Sequence, residues 1–213
     1  MKKKLMTVLA LVLVVAMSVA GTYAYLTSTD EVVNTFTVGN VQIKLDEAKA
    51  NADGTLVPNA DRVKANSYKL LPGHTYNKDP MVTVLKGSES SYVKMTVTFS
   101  NAAELDAIFA PNGGADMTSI FNGYDSTNWE LKNVTKDTRN NTRTYEFWYK
   151  EAVAAPNADV ALDPLFDSIT VPGGINNDQL ATIAGMTITV NAYAIQADGF
   201  STADAAWEAY SKA

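Results

Sequence analysis

The chain has 213 residues, a formal net charge of −6 at pH 7 and no cysteine. Without cysteine, disulfides, thiolate catalysis and Cys-ligated metals are excluded. The acidic balance argues against nucleic acid and anionic membrane surfaces as partners, because both would repel the protein. Charged residues make up only 19% of the chain, a composition that suits half-buried strands and their turns.

The N-terminus has the three parts of a secretory signal peptide. Lysines at residues 2–4 precede an apolar run at residues 5–20, and Thr22-Tyr23-Ala24 places small residues at both ends of a three-residue site. The run is shorter than the roughly 20 apolar residues that cross a bilayer, so a cleaved signal fits better than a permanent anchor. We predict cleavage between Ala24 and Tyr25, with residues 1–24 as the signal.

An arm at residues 25–35 follows the signal, and a strand pattern begins after it. Apolar side chains occupy even positions up to Val38 but odd positions from Val41 onward. A single strand changes face in this way only at an irregularity. A β-bulge at Gly39-Asn40 would return both apolar sets to one face, and a tight turn between two short strands is the alternative.

Short strings between residues 24 and 41 form a further pattern. They read Ala24-Tyr25-Leu26-Thr27, Asp30-Glu31-Val32 and Asn34-Thr35-Phe36-Thr37-Val38-Gly39-Asn40-Val41. With the alternating Ile43 and Leu45 behind them, these strings resemble the N-terminus of the TasA/camelysin family. The resemblance implies an exported bacterial protein that is processed by a dedicated signal peptidase of the SipW type. It covers the first quarter of the chain closely and the remainder only as a β-rich type.

The remaining chain alternates strand patterns with polar turns. Strands are predicted at residues 68–71, 79–86, 92–99, 129–134, 142–150, 165–171 and 186–196. The first of these ends at a Leu-Pro-Gly turn of type II character. Hairpins are expected between the second and third strands and between the fourth and fifth. The last strand is predicted to be central, and residues 46–67 and 152–163 are predicted to be polar connections.

Short helices are predicted in the connections and at the C-terminus, at residues 102–109, at residues 177–183 and after residue 201. Ser100 or Asn101 can cap the first helix. Ser201 and Asp204 have the spacing of a capping box at the start of the last one. We expect the terminal helix to dock onto the sheet through Trp207.

This series of elements indicates an all-β protein with a single domain at residues 36–213. Two or three short helices among about eight strands favour a two-sheet antiparallel sandwich. The resemblance implies that the sandwich is of the jelly-roll type.

The side chains available for chemistry are few. Relatives of the camelysin type are described as surface metalloproteases, but a zinc protease needs two His on one helix face. His74 is the one His of the chain. The chain also lacks the Gly-x-Ser-x-Gly sequence that positions a serine nucleophile. Carboxylate pairs occur at residues 30 and 31, 46 and 47, and 163 and 167, where we expect solvated charges. We therefore predict no catalytic, metal or cofactor site, while a calcium site or a glycosidase pair stays open.

One aromatic residue raises a separate question. Trp148 alternates with buried positions of its strand. It is expected to be a half-buried cross-strand partner. The alternative is an exposed contact for a neighbouring subunit or a glycan.

The resemblance implies a structural role, because relatives form biofilm-matrix filaments. In them the N-terminal arm of one subunit inserts as a strand into the next, head to tail. Here the inserting side chains would be Tyr25, Leu26, Val32 and Val33. Membrane contact would occur only through the uncleaved signal.

Three alternatives to a fibre subunit stay open. The chain could be a monomer whose arm is disordered or folds back on its own sheet. It could be a cell-surface metalloprotease of the camelysin type. A ligand-binding sandwich such as a lectin is the third.

Overall fold

The longest strand, β4, spans Ser88–Ser100 and has the alternation that its sequence predicts. In the computed structural model, which describes residues 39–109 and 120–212, every second residue from Val93 to Phe99 is buried. The residues between them are half-buried. Because successive side chains of a strand point to opposite faces, one face of β4 packs against the core and the other is partly exposed.

The described strands form three sheets, and every pairing in them is antiparallel. The other strands are β1 Ile43–Asp46, β2 Thr75–Asn77, β3 Met81–Val84, β5 Phe121–Asn122, β6 Trp129–Asp137, β7 Thr142–Tyr149, β8 Val153–Ala155, β9 Val160–Ala161, β10 Ser168–Thr170 and β11 Ile188–Gln196. The largest sheet has five strands in the order β11-β4-β7-β6, with β8 also paired to β4. The two small sheets have the orders β1-β3-β9 and β2-β10-β5.

The predicted all-β class is confirmed, with short helices between the strands. The described strands make three sheets rather than the predicted two. The jelly-roll path of a two-sheet sandwich therefore stays a prediction.

Aromatic side chains fill the core between β4, β7 and the short strands. The Phe121 ring lies 4.5 Å from that of Phe166, 5.4 Å from that of Tyr145 and 6.0 Å from that of Phe147, measured between centroids. The rings of Tyr145 and Phe147 stand nearly perpendicular to Phe121, at 82° and 79°. Such edge-to-face contacts add to the stability that burial of apolar area provides. They hold the five-stranded sheet against β5.

One of the two predicted hairpins is wrong. β3 pairs with β1 and β9, whereas β4 pairs with β7, β8 and β11. The chain leaves β3 through a tight turn in which Ser88 N–H donates to Leu85 O at 3.1 Å, and Gly87 has φ +86°. Both edges of β4 are thus occupied by strands distant in sequence. The predicted hairpin of β6 and β7 is confirmed.

Several strand boundaries also differ from those predicted. Residues 39–42 lie in no strand, and β1 begins only at Ile43. The bulge or turn predicted at Gly39-Asn40 also involves residues 36–38, which lie outside the described residues, so it stays a prediction. Carbonyl groups of residues 39–42 accept hydrogen bonds from the β3–β4 turn, from Leu85 N–H to Gln42 O and from Glu89 N–H to Asn40 O. Residues 68–71 are not a strand, and the connection at residues 152–163 contains β8 and β9.

The Leu-Pro-Gly turn forms as predicted. His74 N–H donates to Leu71 O at 3.2 Å, and Gly73 has φ +77°. A positive φ at the second central position is the feature of a type II turn that requires glycine. The turn leads directly into β2.

The described helices are α1 Ala102–Phe109, α2 Asn177–Thr182 and α3 Ala203–Lys212. Within the described ranges no helix is long and apolar enough to span a membrane. The predicted cap of α1 is wrong, because its first N–H groups are bound by a distant residue. Asn141, in the β6–β7 turn, accepts from Ala103 N–H through Oδ1 at 2.9 Å and from Ala102 N–H through its backbone carbonyl at 3.0 Å.

The terminal helix docks through Trp207, as predicted. This side chain is 4% exposed, and its ring lies 6.1 Å from that of Trp148. Lys94 Nζ lies 4.6 Å from the centre of the Trp207 ring, which adds a cation–π contact. Thr202, rather than Ser201, caps α3, since its Oγ1 accepts from Ala205 N–H.

Trp148 is half-buried, in agreement with the cross-strand interpretation. It lies opposite Lys94 on β4 and Glu130 on β6. Its Nε1–H donates to Glu146 Oε1 at 2.6 Å.

The long-range cap of α1 can be tested with Asn141→Gly. Asn141 has φ +51°, so glycine keeps the backbone conformation while removing the Oδ1 acceptor. We expect the free energy of unfolding to fall by about 1 kcal/mol, the usual effect of losing a helix cap. Urea unfolding measures it. Asn59→Gly is the matched control, because exposed Asn59 also has a positive φ, 55°, and caps no helix. Equal effects of the two substitutions would contradict the cap.

Candidate strand-accepting edge

β11 lies at one margin of the five-stranded sheet, so the prediction that it is central is wrong. It pairs with β4 in an uninterrupted register from Ile188 opposite Phe99 to Gln196 opposite Ser91. No described strand pairs with its other side. The interior places of the sheet belong to β4 and β7.

Two hydrogen bonds beyond the ends of β11 show which of its backbone groups face outward. Ser100 N–H donates to Thr187 O at 3.0 Å, and Ala197 N–H donates to Ser90 O at 2.7 Å. In an antiparallel ladder alternate residues bond to the same neighbour, so the odd-numbered residues of β11 bond to β4. The residues that direct N–H and C=O groups away from β4 are therefore Ile188, Val190, Ala192, Ala194 and Gln196. None of these groups has a hydrogen-bond partner in the described part of the chain.

The other margin of this sheet is protected in the ways that soluble proteins commonly use. β6 carries Lys132 and Lys136, and its register with β7 shifts between Leu131 and Asn133. Lysines and bulges both discourage pairing with a further strand. β11 has neither, since its sequence Ile-Thr-Val-Asn-Ala-Tyr-Ala-Ile-Gln contains no charge and its register is unbroken. The margins of the small sheets, strands of two to four residues, are short.

A groove runs beside the first half of β11. It consists of two cavities of about 370 and 430 Å³ that share Asn66, Lys78, Thr187 and Ile188. Apolar side chains line much of both cavities, among them Leu45, Leu70, Tyr76, Ile169, Val171, Met186 and Val190. An extended segment laid along β11 could therefore bond to its backbone and place alternate side chains in this groove.

Three buried charged side chains, Asp46, Glu47 and Lys78, line the groove together with residues of β11. Half-buried Arg62 contacts the first of them. Arg62 joins two carboxylates, with Nε 2.5 Å from Asp46 Oδ1 and Nη1 2.8 Å from Asp79 Oδ2. Lys78 Nζ lies 2.5 Å from Glu47 Oε2. The interpretation of Asp46 and Glu47 as solvated charges is wrong, because their exposed fractions are only 4% and 6%.

Electrostatics at Asp46 favour its charged form. Burial by itself raises the pKa of this carboxyl group, but hydrogen bonds from Lys44 and Arg62, together with their charges, outweigh it. The net pKa of Asp46 lies below its ordinary value. For Arg62, burial lowers the pKa, and the hydrogen bonds and charges of Asp79 and Asp46 raise it by more. Both groups are thus held ionised as a fixed pair.

The side chains considered for catalysis do not come together. His74 is exposed beside the Leu-Pro-Gly turn, and Asp163 and Asp167 are also exposed. Among residues 39–109 and 120–212, no three His, Asp or Glu side chains lie close enough to hold a metal ion. The described residues do not fit the zinc centre of a metalloprotease.

The predicted cleavage site, Ala24 and Tyr25, and the arm residues Leu26, Val32 and Val33 lie outside the described residues. So does the carboxylate pair at residues 30 and 31. Sequence reasoning does not find the accepting edge. An uncharged run such as residues 188–196 also suits a central strand, so the sequence carries no signal that separates the two positions.

Comparison with known families supports the resemblance seen in the N-terminal strings. A family model described as camelysin metallo-endopeptidase matches residues 1–70. The TasA/camelysin resemblance is thereby confirmed. No curated protein and no solved structure matches the chain significantly.

The groove wall makes acid stability depend on Asp46. The pKa of Asp46 is lower in the folded protein than in the unfolded chain. The ionised carboxylate therefore stabilises the fold at pH values above the unfolded pKa of about 4. This stabilisation is lost as the pH falls through the folded pKa. We expect Asp46→Asn to lower the free energy of unfolding by about 2 kcal/mol at pH 7, because half-buried Arg62 loses one of its two charged hydrogen-bond partners and keeps Asp79. The difference from the unmodified protein should shrink as the pH falls below about 4 and through the lowered folded pKa of Asp46.

Urea unfolding at a series of pH values measures this effect. Asp61→Asn is the matched control, because Asp61 is exposed and directly precedes Arg62. Its curve should follow that of the unmodified protein. Parallel curves for Asp46→Asn and the unmodified protein over the whole pH range would refute the assignment.

Proposed function

We propose that this chain, which belongs to the TasA/camelysin family by the match over residues 1–70, is an exported structural protein that assembles into extracellular fibres of a biofilm matrix. Each subunit accepts the N-terminal arm of a neighbour along β11. The family is one of exported and cell-surface proteins. The fibre role is the part that we propose.

The observation that carries the proposal is the outward side of β11, whose backbone groups have no partner in the described part of the chain. Five residues of an uncharged nine-residue strand direct N–H and C=O groups outward, and these groups have no partner among residues 39–109 and 120–212. A long, flat, uncharged edge is the kind that pairs with further strands. Soluble proteins usually avoid it, and here it lies next to a groove that can take side chains.

The arm has the length and chemistry to occupy this edge. Residues 25–34 form a ten-residue segment, close to the nine residues of β11. Tyr25, Leu26, Val32 and Val33 supply apolar side chains for the groove. The arm also contains two acids, and exposed Lys64 on the groove wall offers the opposite charge.

The position of Asn40, which follows the arm in the sequence, favours a head-to-tail arrangement. Asn40 O accepts from Glu89 N–H, at the end of β4 that pairs with the C-terminal end of β11. The groove lies beside Ile188 and Val190, at the other end of β11. Eight residues of strand separate Ile188 from Gln196, or about 27 Å at the usual rise. A donor site and an acceptor site at opposite ends generate an open chain of subunits.

We further propose that the chain is not an enzyme. The family model that matches residues 1–70 favours an enzyme instead, because its description is that of a metallo-endopeptidase. The described residues offer no ligand set for zinc. Casein hydrolysis that a chelator abolishes, together with stoichiometric zinc in the purified protein, would establish the protease instead.

The accepting edge can be tested by removing one outward N–H group. Val190→Pro deletes a donor that faces away from β4, so the ladder inside the subunit is kept. Val190→Ala is the matched control, because it shortens the same side chain and keeps the donor. We expect both variants to fold with similar stability. The critical concentration for filaments should rise at least about tenfold for Val190→Pro relative to Val190→Ala, the equivalent of one strong backbone hydrogen bond.

Sedimentation and electron microscopy measure this difference. Equal assembly of two equally stable variants would exclude β11 as the acceptor. Filaments in which the outward side of β11 stays unpaired would show that another strand edge accepts the arm.

The arm is tested separately by expressing the chain from Tyr25 with and without residues 25–34. We expect filaments only from the longer chain, because the shorter one lacks the donor strand. A synthetic peptide of residues 25–34 should bind the shorter chain, and the Val190→Pro substitution should weaken that binding. Filaments from the shorter chain would remove the arm from the mechanism. A longer chain that stays monomeric at high concentration would indicate that the arm pairs within its own subunit.

A further inference from the structure

Three side chains from separate segments meet in the wall of the groove. Glu47 follows β1, Lys78 follows β2, and Asn66 lies in the connection between these strands. The two oxygens of the Glu47 carboxylate bind different nitrogens. Lys78 Nζ lies 2.5 Å from Oε2, and Asn66 Nδ2 lies 3.0 Å from Oε1. Lys78 and Glu47 are 8% and 6% exposed.

The amide of Asn66 is held in one orientation. Its Nδ2 also donates to Ala48 O at 2.9 Å, and its Oδ1 accepts from Ala50 N–H at 2.9 Å. A backbone N–H directed at a carbonyl oxygen stabilises the negative charge that develops there when a nucleophile attacks the carbon. The triad thus contains an amine, a polarised amide and a carboxylate that touches both nitrogens.

We propose that Lys78 and Asn66 become joined by an isopeptide bond, with Glu47 as the group that transfers protons. The ion pair first passes one proton from Lys78 Nζ to Glu47, which leaves a neutral amine without changing the net charge. The lone pair of Nζ attacks Asn66 Cγ and forms the Nζ–Cγ bond. The electrons of the C=O double bond move to Oδ1, where Ala50 N–H stabilises them.

The second half of the reaction releases ammonia. Glu47 gives its proton to Nδ2 and takes one from Nζ, which it can do because it contacts both nitrogens. The oxyanion then collapses, the Cγ–Nδ2 bond breaks, and Nδ2 leaves with the bonding electrons as ammonia. Ammonia takes the remaining proton from Glu47 and departs as ammonium. No oxidant or other reactant is consumed.

The cross-link would have a consequence for stability. The bond would link Asn66 to Lys78 and close a loop that contains the Leu-Pro-Gly turn. A covalent loop restricts the unfolded chain in the way that a disulfide does. This chain has no cysteine with which to form a disulfide.

Intact mass spectrometry of the purified chain tests the proposal. We expect a mass lower by one ammonia molecule than the sequence of the recovered chain gives, with nearly all molecules converted. Proteolysis should yield a branched peptide that joins Asn66 to Lys78. A chain of full mass with unmodified Lys78 would overturn the proposal.

Three variants separate this reaction from other losses of ammonia. Lys78→Arg keeps the charge next to Glu47 but has no nucleophilic amine, so it should retain the full mass while remaining folded by circular dichroism. Glu47→Gln should also retain the full mass. Lys44→Arg is the matched control, because it alters the neighbouring ion pair with Asp46 and leaves the triad intact. It should lose ammonia as the unmodified protein does.

Three outcomes of these measurements would contradict the assignment. Asn122-Gly123 can also lose ammonia, through a cyclic imide of its own backbone. A loss that maps to that position, or one that persists in Lys78→Arg, would overturn the cross-link. Persistence in Glu47→Gln would overturn the role of Glu47 as the group that transfers protons.

Discussion

The pairing of both edges of β4 is the constraint on which the rest of the structure depends. β4 binds β11 along nine residues on one side and β7 along seven on the other. A thirteen-residue strand with a buried face of large apolar side chains is most stable when no backbone group is left unpaired. Because β7 is in turn covered by β6, the open margin of the sheet is placed at β11. The location of the candidate acceptor follows from that order.

The charged groove wall has a different physical character from the edge. Its ion pairs are buried, and burying charges is expensive unless geometry and hydrogen bonding are good. A buried pair is therefore weak evidence for stability, and apolar residues could fill the same space. What Arg62, Asp46 and Asp79 do provide is a fixed geometry. A wall that cannot rearrange keeps the groove open beside β11, and it also holds Glu47, Asn66 and Lys78 in contact.

In the assembly that we propose, an open strand edge is hazardous before export and useful after it. Edges of this kind pair with other chains without regard to identity, which leads to aggregation. In the proposed assembly, the partner strand is part of the same gene product and becomes available only when the signal is removed. Timing is then set by cleavage, and the specificity comes from the side chains that enter the groove. The resulting interface needs no metal, cofactor or disulfide.

The sequence alone was sufficient for the features that depend on neighbours in the chain. The alternation of Val93, Met95, Val97 and Phe99 determined the buried face of β4, and a run of good helix formers determined α1. The β6–β7 hairpin, the Leu-Pro-Gly turn and the docking of α3 through Trp207 were predicted for the same reason. The N-terminal strings were enough to indicate the family.

Only the tertiary structure decided which distant groups meet. Nothing in the local pattern of residues 188–196 distinguishes a central strand from an edge strand, because both kinds are apolar on one face. The two differ only in whether a second strand pairs with the free side. Asp46 and Glu47 can be buried because Arg62 and Lys78 bind their carboxylates. The cap of α1 comes from Asn141, which accepts a hydrogen bond from Ala103 N–H, 38 residues away in the sequence. The periodicity of apolar residues predicts which face of a single helix or strand is buried. It does not predict which elements pack against each other, and that packing determines the ion pairs, the caps and the strand order.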